Sequence, residues 1–175
     1  WYFYDSFEVN DVRKTYLVTS YKAQDGSIIN RENPGLHLEL GPIPLKYGYD
    51  INVTGNGGKS NIDPIIYRLA DVYLMMAEAV VRGGTGSDRG TVLGYINELQ
   101  RRAYGDDEHK IADSDLTLDF LLKERARELY WEGHRRTDLI RYGMFTTDKY
   151  LWQWKGGEKG GTAVNSKYNI YPIPN

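Results

Sequence analysis

The stretch Thr117 to Met144 (TLDFLLKERARELYWEGHRRTDLIRYGM) constrains the fold more than any other part of the chain. At about 100° per residue, Leu118, Leu121, Leu122 and Leu129 fall on one helical stripe, and Arg125 and Glu132 fall in the middle of it. A bare ion on an apolar face is strongly destabilising, so both charges must meet opposite charges and hydrogen bonds. Glu128, Arg135, Arg136, Asp138 and Arg141 are the nearest suppliers. The pattern predicts a structural ion network of Arg125, Glu128, Glu132, Arg135, Asp138 and Arg141. That network fixes how a long helix meets a short one, running from Thr137 to Arg141, beyond a break at Gly133. Phe120 and Trp131 lie on the other side, which predicts that the long helix is covered twice.

Two further helices precede it. Asp63-Pro64 has the form of a cap followed by a first-turn proline, and Gly83-Gly84 that of a stop, predicting a helix from Asp63 to Arg82. Leu69, Val72, Tyr73, Met76, Ala79 and Val80 form one apolar side, and Ala70, Leu74, Ala77 and Val81 another, so this helix is expected to be mostly buried. Arg68, Asp71, Glu78 and Arg82 form its narrow polar edge. The next helix spans Gly90 to Tyr104 and ends at Gly105. The short connection favours a helical hairpin of tetratricopeptide-like size. An acidic loop, Asp106 to Asp115, then leads to Asp115 or Thr117 as cap of the central helix.

Residues 1–62 carry no sustained helical period. Lys14 to Lys22 and Leu36 to Leu40 have strand character, and Asp25-Gly26 supplies a turn between Tyr21 and Ile28. This predicts an irregular layer with one or two short antiparallel strand pairs lying over a helical region, residues 63–175. Pro34-Gly35, Pro42, Pro44 and Thr54 to Asn61 read as loop. Tyr150 to Gly161 and Tyr171 to Asn175 are expected to be irregular or extended.

Function classes narrow by composition. Net charge is −2, with 22 basic and 24 acidic residues and no block of like charge, which gives no electrostatic footprint for nucleic acid. With no cysteine there is no disulfide, thiolate metal site or cysteine nucleophile. No apolar run approaches the roughly 18 residues that span a bilayer. The opening WYFYDSFEV has neither a methionine nor a signal-like pattern and reads as internal to a longer protein.

Motifs for chemistry fail one by one. Glu124, Glu128 and Glu132 line one side of a helix, but neither His109 nor His134 completes the Glu-x-x-His spacing of a di-iron bundle. A glycosidase needs carboxyls facing across a sugar, roughly 5 to 9.5 Å apart, and one of raised pKa. Arginine partners lower a carboxyl instead. Gly83 to Gly90 follows a helix and lacks Gly-Lys-Ser/Thr, so it is a turn rather than a phosphate loop. The acidic loop lacks the calcium-binding spacing, and the sequon at Asn52 carries no weight. No catalytic residue, cofactor or metal is assigned. Trp152 and Trp154 remain: in an extended segment alternate indoles share a face, either stacking on sugar rings or capping the helix layer.

The order of motifs is more specific than their physics. Arg68-Leu69-Ala70-Asp71-Val72, Ala77-Glu78-Ala79, Tyr95-Ile96-Asn97 and Arg102-Ala103 precede Glu124-Arg125, Glu128-Leu129, Glu132-Gly133, Arg135, Asp138-Leu139 and Arg141, and Tyr171-Pro172-Ile173-Pro174 closes the chain. This order resembles the C-terminal part of the SusD/RagB family, over residues 63–175 and also Ser6 to Arg13. The WQWKGG and YNIYPIP segments are similar to the family's starch-binding type. The resemblance implies a mainly α fold of tetratricopeptide-like helical hairpins, of α-α superhelix type, with a minor β layer and long loops. It also implies a surface lipoprotein of the outer membrane, anchored through a lipid outside this sequence. Such a protein captures starch-like oligosaccharide without cleaving it and hands it to a SusC-like TonB-dependent transporter. The matching motif residues are architectural, so no sugar contact is carried over by position. A helical module that docks the transporter, with sugar contacts elsewhere, is the alternative.

Overall fold

In a computed structural model, which describes residues 1–33, 41–47 and 62–172, helices dominate. They are α1 (Tyr2–Asp5), α2 (Leu69–Val81), α3 (Arg89–Tyr104), α4 (Leu118–Glu128) and α5 (Arg135–Arg141). Four two-residue strands accompany them: β1 (Leu17–Val18), β2 (Tyr21–Lys22), β3 (Ile28–Ile29) and β4 (Ile43–Pro44). The antiparallel pair β2–β3 matches Tyr21 with Ile29 around the turn at Gly26, and β1–β4 matches Leu17 with Pro44. The strand expected at 36–40 and the loops at 34–35 and 54–61 lie outside the described residues, as does the sequon.

Local signals set several ends. Asp88 caps α3 by accepting from the Thr91 amide at 2.9 Å, and Gly105 leaves that helix in the left-handed region, φ 80°. Thr117 caps α4 by accepting from the Phe120 amide. The core joins three helices: Ala70, Leu74 and Ala77 of α2, Val92, Ile96 and Leu99 of α3, and Leu121 of α4 with Leu116 and Leu129 beside it. Tyr73 and Tyr95 stack at 4.4 Å along the α2–α3 contact.

Four expectations are corrected. Helix α2 begins at Leu69, not Asp63, because extended backbone at Arg68 (φ −148°, ψ 163°) sends its guanidinium to Glu128 and Glu132. Tertiary ion pairs override the local start signal. The buried side of α2 is Ala70, Asp71, Leu74, Ala77 and Glu78, while Leu69, Val72 and Met75 are exposed. Asp71 and Glu78 turn inward because the arginines of α4 and α5 wait there. Finally, α4 stops at Glu128, a turn earlier than Gly133, and α5 begins at Arg135. The Glu128 carbonyl, an orphan acceptor of that last turn, takes Arg68 Nη2 at 2.6 Å and Lys46 Nζ at 2.5 Å. Trp131, expected to be covered, is 68% exposed.

Candidate functional site

Two features of the fold could carry function: the charges on α4 and a cavity walled by aromatic rings. The charges separate into two clusters. In the first, Arg125, only 3% exposed, donates to Asp71 Oδ1 and Asp138 Oδ1 at 2.9 Å each. Arg141 also reaches Asp138 at 2.9 Å and takes both oxygens of Glu78 at 2.8 Å, and Arg82 completes the chain on Glu78. These contacts lock α2, α4 and α5 together. In the second, Glu128 receives Arg13 at 2.9 Å, Arg68 at 2.5 Å and Arg102. Arg13 extends to Glu124 at 2.6 Å and Asp11 at 2.7 Å, tying the N-terminal layer to α4. Glu132 is held by Arg68 and Lys46. Arg135 stands outside both: it donates to the Leu122 carbonyl at 2.9 Å and lies 4.6 Å over the Tyr150 ring.

These carboxylates are poorly suited to acid catalysis. Burial pushes Glu128 up, yet the hydrogen bond and charge of Arg102, with the charges of Arg68 and Arg13, outweigh it and hold the group at about 2. Burial likewise opposes, and arginine hydrogen bonds overcome, the shift at Glu78, which ends below the usual range. Both stay ionised and engaged at neutral pH. Among the described residues no group of three or more His, Asp or Glu side chains is placed to hold a metal ion. No described helix is long and apolar enough to cross a membrane.

The cavity, about 400 Å³, collects aromatic side chains from three segments. Phe3 and Tyr4 come from α1, Tyr130 and Trp131 from the α4–α5 connection, and Tyr150, Trp152 and Trp154 from the C-terminal loop. Phe3 packs on Tyr130 at 5.4 Å, and Tyr150 on Trp152 at 5.4 Å, both tilted. Trp152 and Trp154 therefore do line one space, but not by strand alternation. Trp154 has φ 68° and opens a tight turn, Lys155–Gly157.

A buried cation organises that loop. Lys155 is 4% exposed, and its ammonium donates to the carbonyls of Thr147 at 3.1 Å and Tyr150 at 2.9 Å, 4.9 Å from the Trp152 ring. Burial pulls its pKa down, and the two carbonyls with the ring hold the charge in place. Gly161 closes the loop at φ 82°, where a Cβ would collide with the Trp152 carbonyl oxygen. The sequence singled out Trp152 and Trp154 as candidates; it singled out neither Lys155, which organises their loop, nor Trp131, which lines the same cavity. The clue to Lys155 was its setting between two indoles and two glycines.

Flat apolar walls with polar edges, and carboxylates that stay ionised, suit binding rather than turnover. A sequence profile of the SusD family matches residues 3–175, and the chain belongs to that family. The starch-binding protein SusD of Bacteroides thetaiotaomicron is 51% identical over 109 residues, covering 62% of this chain and 18% of that protein. A crystal structure of a SusD superfamily protein from Bacteroides thetaiotaomicron superposes with a TM-score of 0.57 at 28% identity, over 78% of this chain and 28% of that one. A SusD-like carbohydrate binding protein from Bacteroides vulgatus shares the fold, with a TM-score of 0.53 at 22% identity over 99% and 38% of the respective chains. The chain thus spans much less than two thirds of these relatives.

Proposed function

We propose that this chain belongs to a glycan-capture protein of the bacterial cell surface, one that binds starch-like oligosaccharide without cleaving it and delivers it to a TonB-dependent transporter. The observation that carries the reading is the aromatic cavity, in which Trp152 and Trp154 are held by a loop wound around Lys155. Indole faces stack on the C–H faces of sugar rings and leave the hydroxyls free for water or polar neighbours. Membership of the SusD family and the identity to a starch-binding protein support the substrate class and the surface location, and the transporter partner is what the resemblance to the family implies.

Affinity electrophoresis of the full-length protein in starch and in a panel of other glycans tests it. Retardation in starch is expected, with no release of reducing ends. Replacing Trp152 and Trp154 together by Ala is expected to abolish retardation while leaving the melting temperature nearly unchanged. An unretarded wild type across the panel rejects glycan capture, and a large fall in melting temperature makes the two indoles packing residues.

A further inference from the structure

We infer that Trp131 is a third sugar-contacting residue of the same cavity, a reading that rests on the glycan-capture function proposed above. Among the described residues, every residue with positive φ is glycine except two, Trp131 at φ 63° and Trp154 at φ 68°. Both are tryptophans, they come from segments more than twenty residues apart, and both line the same aromatic cavity. A bulky residue in the left-handed region is a backbone outlier, and such strain persists only where the surroundings impose it.

Here the surroundings can be named. Tyr130 is wedged beside Phe3 at 5.4 Å and Phe7 at 6.1 Å. Glu132 is gripped by Arg68 and Lys46. The Trp131 carbonyl accepts from Tyr47 Oη at 3.1 Å. With both neighbours anchored, the backbone of Trp131 must reverse and its indole is sent outward, 68% exposed, at the cavity. Helix α3 enters the same left-handed region with a glycine, Gly105, directly after its last residue, whereas Trp131 lies three residues past the end of α4. A glycine at 131 would relieve the strain and lose little packing. An exposed indole in a glycine position is a poor choice for stability and a good one for a stacking surface.

The test uses the full-length protein with maltoheptaose as probe, with Trp131→Gly and Trp131→Phe as the variants. Trp131→Gly is expected to melt at the wild-type temperature or above it while binding maltoheptaose at least tenfold more weakly. Trp131→Phe, which keeps an aromatic face, is expected to stay within a few-fold of wild type. Unchanged affinity in Trp131→Gly, with binding still lost in the Trp152/Trp154 double variant, overturns the assignment and leaves the glycan reading standing. A fall of several degrees in the melting temperature of Trp131→Gly also overturns it, since the indole is then a packing residue. A wild type that binds no glycan in the panel removes the reading beneath it.

Discussion

Arg125 has nowhere to place its charge except between Asp71 and Asp138, because the residue is 3% exposed and the two carboxylates are 1% exposed each. Breaking such a buried arrangement from one side strands the remaining ions, at a cost of about 3–5 kcal/mol. Arg125→Met is therefore expected to lower the urea midpoint by that equivalent with an unchanged m value. Arg101→Ala is the control. Its pairing with Glu98, at 3.6 Å and with both side chains 57% exposed, is screened by water, and the midpoint is expected to stay where it was. The requirement that Arg125 be paired was legible from its place on an apolar stripe. Its partner Asp71 was not, because a polar residue at the edge of one helix turns inward only when another helix brings a cation to it.

The C-terminal loop is the element on which the candidate site depends. Lys155→Met keeps the bulk of the side chain but leaves the Thr147 and Tyr150 carbonyls without a donor, which is expected to cost about 1–3 kcal/mol. A red-shifted tryptophan emission should accompany it as Trp152 gains water, and near-wild-type emission would show that the loop stands without its cation. Elements governed by near neighbours were legible in the chain: the Thr117 cap, expected there or at Asp115, the Gly105 stop and the turn at Gly26 follow from residues close to them in sequence. The start of α2 was not, since Asp63-Pro64 lost to ion pairs between Arg68 and residues 60 and 64 positions away. The tryptophan pair was legible as composition but not as geometry. Strand alternation cannot place Trp154 once its φ is positive, and nothing local marks Trp131 as a strained residue.

At the scale of the molecule, the N-terminal layer, α2, α3 and α4 all meet at Glu128 through Arg13, Arg68 and Arg102. The carboxyl titrates at about 2 in the folded chain against an ordinary 4.5, so it stabilises the fold above about pH 4.5, and that contribution fades as pH falls from there through 2. A shift of this size corresponds to about 3 kcal/mol. Stability measured by urea at stepped pH is expected to fall steeply over this window. In Glu128→Gln, less stable at neutral pH, the slope there is expected to flatten; an unaltered slope would assign the acid sensitivity to other carboxylates. The same junction treats inherited change unevenly. A lineage that loses Arg102, a largely exposed side chain, still has two cations on the carboxylate, whereas one that loses Arg13 also strands the buried Asp11, and one that loses Arg68 takes a partner from Glu132 as well. Drift is thus freest at Arg102, whereas Glu128, Arg13 and Arg68 are each held by more than one buried or half-buried partner.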